Sequence, residues 1–102
     1  ANLFIKETYK LIPKTGAYIV KSIINNTIVF GMMNIGYRPT VSGKNQTIEI
    51  HFFNFNENLY GKDIQIEVLQ FLREEQKFNS INELKDQLKI DKTMSLEQIK
   101  NF

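Results

Sequence analysis

Two segments in the first half of the chain have the residue composition of β-strands. Residues 17–24 and 27–35 are rich in β-branched and aromatic side chains, with Asn25-Asn26 between them. Because Asn tolerates the left-handed backbone of a tight turn, these segments predict a β-hairpin. Gly31, inside the second strand, indicates a bulge or the close approach of another backbone.

A further strand is predicted after a segment of turn-forming residues. The run 38–45 contains Pro, Gly and Asn, and it predicts a loop. A third strand is predicted over 46–55, with alternate residues on opposite faces. One face carries Ile48, Ile50 and Phe52, and the other carries Thr47, Glu49, His51 and Phe53. Residues 62–72 begin with the same alternation, which slips at Leu69 and so indicates a bulge or burial of both faces.

The C-terminal part changes to the period of a helix. Ser80 and Glu83 have the spacing of a capping box, which predicts a helix start. The apolar positions that follow form one stripe that we expect to pack, namely Ile81, Leu84 and Leu88. A weaker, shorter helical segment is predicted from Ser95. Several strands followed by one helix predict an all-β domain, a small antiparallel barrel or sandwich closed by a helix.

Composition excludes several classes of function. The chain has 102 residues, a formal net charge of +2, no cysteine and one histidine, His51. Disulfides, thiolate chemistry and multi-histidine metal sites are therefore excluded. No apolar run approaches the length of a membrane span, and no signal peptide is visible. The scattered lysines argue against a dedicated nucleic-acid-binding or membrane-surface protein.

Three polar or aromatic positions have both an ordinary and a functional interpretation. Glu49, beside His51 on one strand face, is either a solvated carboxylate or a catalytic base on a rigid strand. Arg73 is either a surface cation at a strand end or a clamp for an anion or a polar ring. Tyr60, followed by Gly61, either covers the barrel end or forms a wall for a flat ligand.

Several segments together resemble one enzyme family. Residues 33–41 resemble the Asn-Ile-Gly-x-Arg-Pro-Thr segment of riboflavin kinases. Residues 48–51, 59–61, 71–73 and 77–78 then follow in the order of that family and at close to its spacing. The Arg-Pro-Thr form is similar to the bacterial bifunctional enzymes, in which a kinase domain follows an FMN adenylyltransferase domain.

The resemblance implies a fold and a domain organisation. The expected fold is a small antiparallel Greek-key β-barrel closed by the C-terminal helix. The chain is then one riboflavin kinase-like domain over residues 1–102, truncated at its N-terminus. Ala1-Asn2 is similar to the end of the family's Pro-Thr-Ala-Asn motif, so Asn2 is the implied ligand of the magnesium of MgATP.

The resemblance also implies roles for individual residues. Glu49 is the expected general base, which takes the proton from the 5′-hydroxyl of riboflavin as that hydroxyl attacks the γ-phosphate of ATP. The implied nucleotide-binding residues are Asn54 and Tyr60. The implied flavin-binding residues are Leu69, Phe71 and Arg73.

The implied activity is the ATP-dependent phosphorylation of riboflavin to FMN in the cytoplasm, with Mg²⁺ bound to ATP. The expected partners are these small molecules and an upstream FMN adenylyltransferase domain, with no nucleic acid and no membrane. Two alternatives remain open. One is a flavin- or nucleotide-binding barrel without catalysis, and the other is a barrel that binds single-stranded nucleic acid by stacking on aromatic side chains.

Overall fold

The computed structural model describes residues 2–6, 14–59 and 61–102, and within these it leaves the side chains of residues 2–6, 38–40 and 44 undescribed. These residues form five strands and one helix. The elements are β1 (Asn2–Lys6), β2 (Gly16–Ile24), β3 (Thr27–Thr40), β4 (Gly43–Phe52), β5 (Asp63–Glu74) and α1 (Ile81–Ile99). The predicted class, an all-β fold with a C-terminal helix, is confirmed.

The strands form one sheet in the order β1-β5-β2-β3-β4. Strands β2, β3 and β4 are consecutive antiparallel neighbours, and β5 returns to lie beside β2, which is the Greek-key order. Strand β1 joins the far side of β5 in parallel. Within the described residues β1 and β4 remain the two ends of the sheet, so the expected closure into a barrel is corrected to an open sheet.

The predicted hairpin after β2 is confirmed. Asn25 and Asn26 have φ values of 53° and 63°, and Ile24 pairs directly with Thr27. A two-residue turn with positive φ at both positions matches the right-handed twist of the flanking strands. The sequence of two asparagines therefore fixes the register of β2 against β3.

The predicted loop over 38–45 is wrong. Strand β3 continues to Thr40, β4 starts at Gly43, and these two residues are paired. Only residues 41–42 lie in the turn. The reason is positional: β2 pairs with β3 only as far as Ile35, so beyond that residue β4 is the one neighbour of β3 among the described residues. An edge position of this kind accepts Pro39, which lacks an N–H.

The sheet has an apolar cluster on each face. The first consists of Tyr18, Val20, Met33, Ile35, Ile64 and Ile66, with Ile48, Ile50 and Phe52 packed against it. The second, on the side of the helix, is built on Ala17, Met32 and Phe53, with Ile99 of α1 against it. The alternation predicted for the third strand is confirmed, because its isoleucines face the first cluster and Phe53 belongs to the second.

Strand β5 contains two register shifts against β2. Ile19 pairs with Gln70 but Val20 with Val68, so Leu69 is the extra residue of the first irregularity. A second shift lies between Ala17 and Tyr18. The break in the alternation at Leu69 is therefore a β-bulge. This is one of the two explanations that the sequence predicts.

The helix begins at the predicted cap. The amide of Glu83 donates to Ser80 Oγ at 3.1 Å, and Glu83 Oε2 accepts from the amide of Asn79 at 2.9 Å. The helix then runs without a break to Ile99, so the prediction of a separate segment from Ser95 is wrong. Within the described residues, no helix has the length and apolar character needed to cross a membrane.

The expectation that the apolar stripe packs is also wrong. Ile81, Leu84 and Leu88 are 71%, 38% and 39% exposed, whereas Asp91 and Ser95 are fully buried. The C-terminal half of the helix therefore lies on the sheet, and its N-terminal half leaves the stripe largely uncovered.

Candidate active site

A row of paired residues crosses four strands on the face that the helix covers. Glu49 of β4 pairs with Asn34 of β3, Asn34 pairs with Ala17 of β2, and Ala17 pairs with Arg73 of β5. Neighbouring strands are about 4.8 Å apart, so the backbones of Glu49 and Arg73 are separated by roughly 14 Å. The sheet thus holds a carboxylate at one end of this row and a guanidinium at the other.

Glu49 lines a cavity between the sheet and the helix. The cavity has a volume of about 480 Å³. Its sheet wall includes Asn34, Glu49 and His51, and its helix wall includes Leu88, Lys89 and Lys92. Glu49, Lys89 and Lys92 are exposed to solvent. A carboxylate on a rigid strand that shares a cavity with two cationic side chains suits a proton transfer coupled to an anionic substrate.

Asn34 lines this cavity and has an unusual side-chain atom. Its side-chain oxygen Oδ1 is buried and has no hydrogen-bond partner. No individual role for Asn34 is expected from the sequence. A signal was present, because Asn34 is a polar residue between two apolar residues in the interior of a strand.

Arg73 is already engaged by the helix. Its Nε donates to Asp91 Oδ1 at 2.8 Å and its Nη2 donates to Asp91 Oδ2 at 2.6 Å. Gln87 Nε2 donates to Asp91 Oδ1 at 3.0 Å, and Arg73 Nη1 donates to the carbonyl of Glu74 at 3.0 Å. Arg73 therefore joins β5 to α1, which neither interpretation of it anticipated. Its proposed contact with flavin stays a prediction.

The structure does not bring the three predicted flavin-binding residues onto one face. Phe71 lies on the opposite face from Arg73, where its ring meets that of Tyr18 edge-on at 5.1 Å. Lys14 Nζ lies 4.3 Å from the centre of the Phe71 ring. Burial raises the pKa of Tyr18 above its ordinary value, so its hydroxyl stays protonated and donates to the carbonyl of Lys14. Leu69 is half-buried at the bulge.

Asn54, predicted to bind nucleotide, lines a second cavity of about 370 Å³ at the hairpin end of the sheet. Three aromatic rings also line it, those of Phe30, Phe53 and Phe55. Phe53 lines both cavities, so the Asn54 cavity and the Glu49 cavity share one wall residue. Asn54 has a φ of 54°, a left-handed conformation that Asn adopts more readily than most residues.

The two remaining predictions fall on residues that the structure describes partly or not at all. Asn2 lies in β1, where it pairs with Asp63, and its side chain is not described. Tyr60 lies outside the described residues. In the part of the chain that the structure covers, there is no group of three or more His, Asp or Glu side chains placed to hold a metal ion.

The sequence of this domain matches the model of a known protein family. The riboflavin kinase model, named Flavokinase, matches residues 1–99, so the chain belongs to the riboflavin kinase family. The resemblance of the sequence segments to riboflavin kinases is confirmed.

Individual relatives give the same result. The chain is 38% identical over 105 residues to the bifunctional riboflavin kinase/FMN adenylyltransferase of Bacillus subtilis, covering 100% of this chain and 33% of that protein. It is 39% identical over 79 residues to an RNA-binding riboflavin kinase of the same organism, covering 76% of this chain and 34% of that one. The chain thus spans about a third of the length of these relatives.

A solved structure has the same fold. The crystal structure of a macrolide-efflux protein from Streptococcus pneumoniae superposes with a TM-score of 0.74 and 30% sequence identity. The superposition covers 83% of this chain and 28% of that chain.

Proposed function

We propose that this domain transfers the γ-phosphoryl group of ATP to the 5′-hydroxyl of riboflavin and so forms FMN. Membership of the riboflavin kinase family supports this proposal. The structural observation that carries it is the position of Glu49, which shares one cavity with Lys89 and Lys92.

In the proposed step, Glu49 accepts the proton of the 5′-hydroxyl as its oxygen bonds to the γ-phosphorus of ATP. The bond from that phosphorus to the bridging oxygen breaks, and ADP leaves. A positioned base contributes about 10²–10⁴-fold to such a rate. The remainder comes mainly from positioning and from neutralising phosphate charge. Lys89 and Lys92 supply positive charge on the helix side of the cavity.

Magnesium is proposed to arrive with ATP. Mg²⁺ prefers oxygen ligands and commonly binds through one or two protein groups together with substrate phosphates. Asn2 remains the protein ligand that the family resemblance suggests.

The other assignments belong to the same proposal. Asn54 and Tyr60 would contact the nucleotide, and Leu69, Phe71 and Arg73 would contact the flavin. Residues 1–102 would act as one kinase domain in the cytoplasm, where ATP is available. In the natural protein it would work beside an FMN adenylyltransferase domain, an arrangement that rests on the name of the Bacillus subtilis relative.

The test is the conversion of riboflavin to FMN by the full natural protein in the presence of MgATP, measured by chromatography. We compare the native protein with Glu49→Gln and with the control Glu67→Gln, whose carboxylate pairs with Lys21 at 3.2 Å on another part of the sheet. We expect Glu49→Gln to lose about 10²–10⁴-fold in kcat while still quenching riboflavin fluorescence. The control should keep its turnover.

The other outcomes separate the alternatives. Full turnover in Glu49→Gln would remove Glu49 from the role of base and leave the kinase assignment intact. Riboflavin binding without FMN formation by the native protein would favour a non-catalytic flavin-binding domain. Failure to bind riboflavin, together with salt-sensitive binding of oligonucleotides, would favour the nucleic-acid-binding alternative.

A further inference from the structure

The inference concerns the unpaired oxygen of Asn34. A buried amide oxygen without a donor is unfavourable in a folded protein, and nearly all such groups are paired. Within the described residues, only two buried side-chain polar atoms lack a partner, Asn34 Oδ1 and Ser95 Oγ. Of these two residues, Asn34 lines the cavity that contains Glu49. We therefore look for the hydrogen-bond donor to Asn34 Oδ1 in a ligand of this cavity.

The neighbouring residues of the row explain why the protein itself does not supply that donor. On one side Asn34 pairs with Ala17, whose side chain has no polar atom. On the other side it pairs with Glu49, whose carboxylate oxygens are hydrogen-bond acceptors. The fold thus places two residues with acceptor oxygens side by side on adjacent strands, and both line the same cavity.

Two adjacent acceptors match a ligand with adjacent donors. Directly paired residues on antiparallel strands have Cα atoms about 4.5–5.5 Å apart, a distance that neighbouring hydroxyl groups of one flexible polyol can span. We infer that Asn34 Oδ1 accepts a hydrogen bond from a ribityl hydroxyl of riboflavin next to the hydroxyl that Glu49 deprotonates. This inference rests on the proposed function. It makes Asn34 a binding residue that selects a polyol side chain.

The test compares two flavins that differ in this side chain. Riboflavin carries the ribityl chain, and lumiflavin has a methyl group in its place. Affinities are measured by fluorescence quenching in the full natural protein without nucleotide. The variants are Asn34→Leu, which keeps the approximate size but removes the acceptor, and the control Asn82→Leu, the same change at an exposed position of α1 outside the cavity lining.

We expect Asn34→Leu to bind riboflavin about tenfold more weakly, as for the loss of one neutral hydrogen bond. Its affinity for lumiflavin should equal that of the native protein, and Asn82→Leu should bind both flavins normally. The melting temperature of ligand-free Asn34→Leu should not fall, since the substitution removes an unpaired buried oxygen.

Three results would overturn the inference. The first is unchanged riboflavin affinity in Asn34→Leu. The second is an equal loss of affinity for both flavins together with a lower melting temperature, which would make Asn34 structural. The third is normal riboflavin affinity with weaker binding of MgATP, which would assign the oxygen to the metal or the nucleotide. If the native protein bound no riboflavin at all, the proposed function itself would fail.

Discussion

Arg73 and Asp91 form a two-point ion pair that joins the end of β5 to the middle of α1. The two bonds are 2.8 Å and 2.6 Å long, and Asp91 is fully buried. Two parallel bonds fix the orientation of both groups as well as their distance. The helix is therefore held over the Glu49 cavity by a contact at the opposite end of the Glu49–Arg73 row.

Removing one partner of this pair should be costly. In Asp91→Ala the guanidinium of Arg73 loses its partner in a largely buried position, and we expect a loss of about 3–5 kcal/mol in the free energy of unfolding. The apolar double variant Arg73→Met with Asp91→Leu leaves no unpaired charge and should be near native in stability. Urea unfolding measures both. Glu97→Ala, which breaks the exposed Lys100–Glu97 pair of the same helix, should change little.

The same double variant separates the two roles considered for Arg73. If it folds with native stability but binds riboflavin weakly, Arg73 contacts flavin as the family resemblance suggests. If it binds riboflavin normally, Arg73 serves to attach the helix, and its assignment as a flavin-binding residue is contradicted.

Two glycines of β3 offer a second matched comparison. A Cβ on Gly31 would lie 2.6 Å from the backbone carbonyl oxygen of His51, so Gly31 is a close backbone approach, one of the two predicted explanations. A Cβ on Gly36 would lie 2.9 Å from Oε1 of Glu75, the tip of a flexible side chain. We expect Gly31→Ala to cost about 1–3 kcal/mol. Gly36→Ala should stay within about 0.5 kcal/mol of native.

Thermal or urea unfolding of the two alanine variants checks this difference. Because Gly31 lies against the end of β4, its substitution should also displace the strand that carries Glu49 and reduce turnover. Equal stability of the two variants would show that β4 can shift away from β3 without cost, contrary to the rigid support that the proposed base requires.

The lysines of the cavity should act through their charge. We expect Lys89→Met with Lys92→Met to lower kcat/KM for MgATP roughly tenfold at low ionic strength, because a cavity lined by positive charge concentrates anionic substrate. The difference from native should shrink as salt screens these exposed groups. Steady-state kinetics at two ionic strengths measure it. Lys85→Met, on the same helix outside the cavity lining, is the control, and an equal effect there would point to the net charge alone.

Features that depend on neighbouring residues were predictable. The asparagine turn, the bulge at Leu69 and the cap at Ser80 each follow from the local conformational preferences of a few side chains. The faces of β4 also followed from its alternation, which placed Glu49 and Phe53 together. In each case the interaction that decides the structure lies within the segment itself.

Features that depend on distant residues were missed. Leu84 and Leu88 have the spacing of a packed stripe, yet the buried positions of the helix are taken by Asp91 and Ser95. The burial of Asp91 depends on its ion pair with Arg73, which lies on β5. No pattern within the helix sequence predicts this contact. The extension of β3 past residue 38 similarly depends on its pairing with β4, a separate strand. The cavity of Glu49 depends on which face of the sheet the helix covers.

The parallel pairing of β1 with β5 has a consequence for how the chain assembles. Asn2 pairs with Asp63, so this ladder closes a loop of more than half the chain, whereas β2 and β3 meet across a two-residue turn. The entropy lost on closing a loop grows with its length, which makes the β1 ladder the least favoured to start. Among the described strands, β1 therefore pairs only after β5, the last of the five in chain order, has been synthesised.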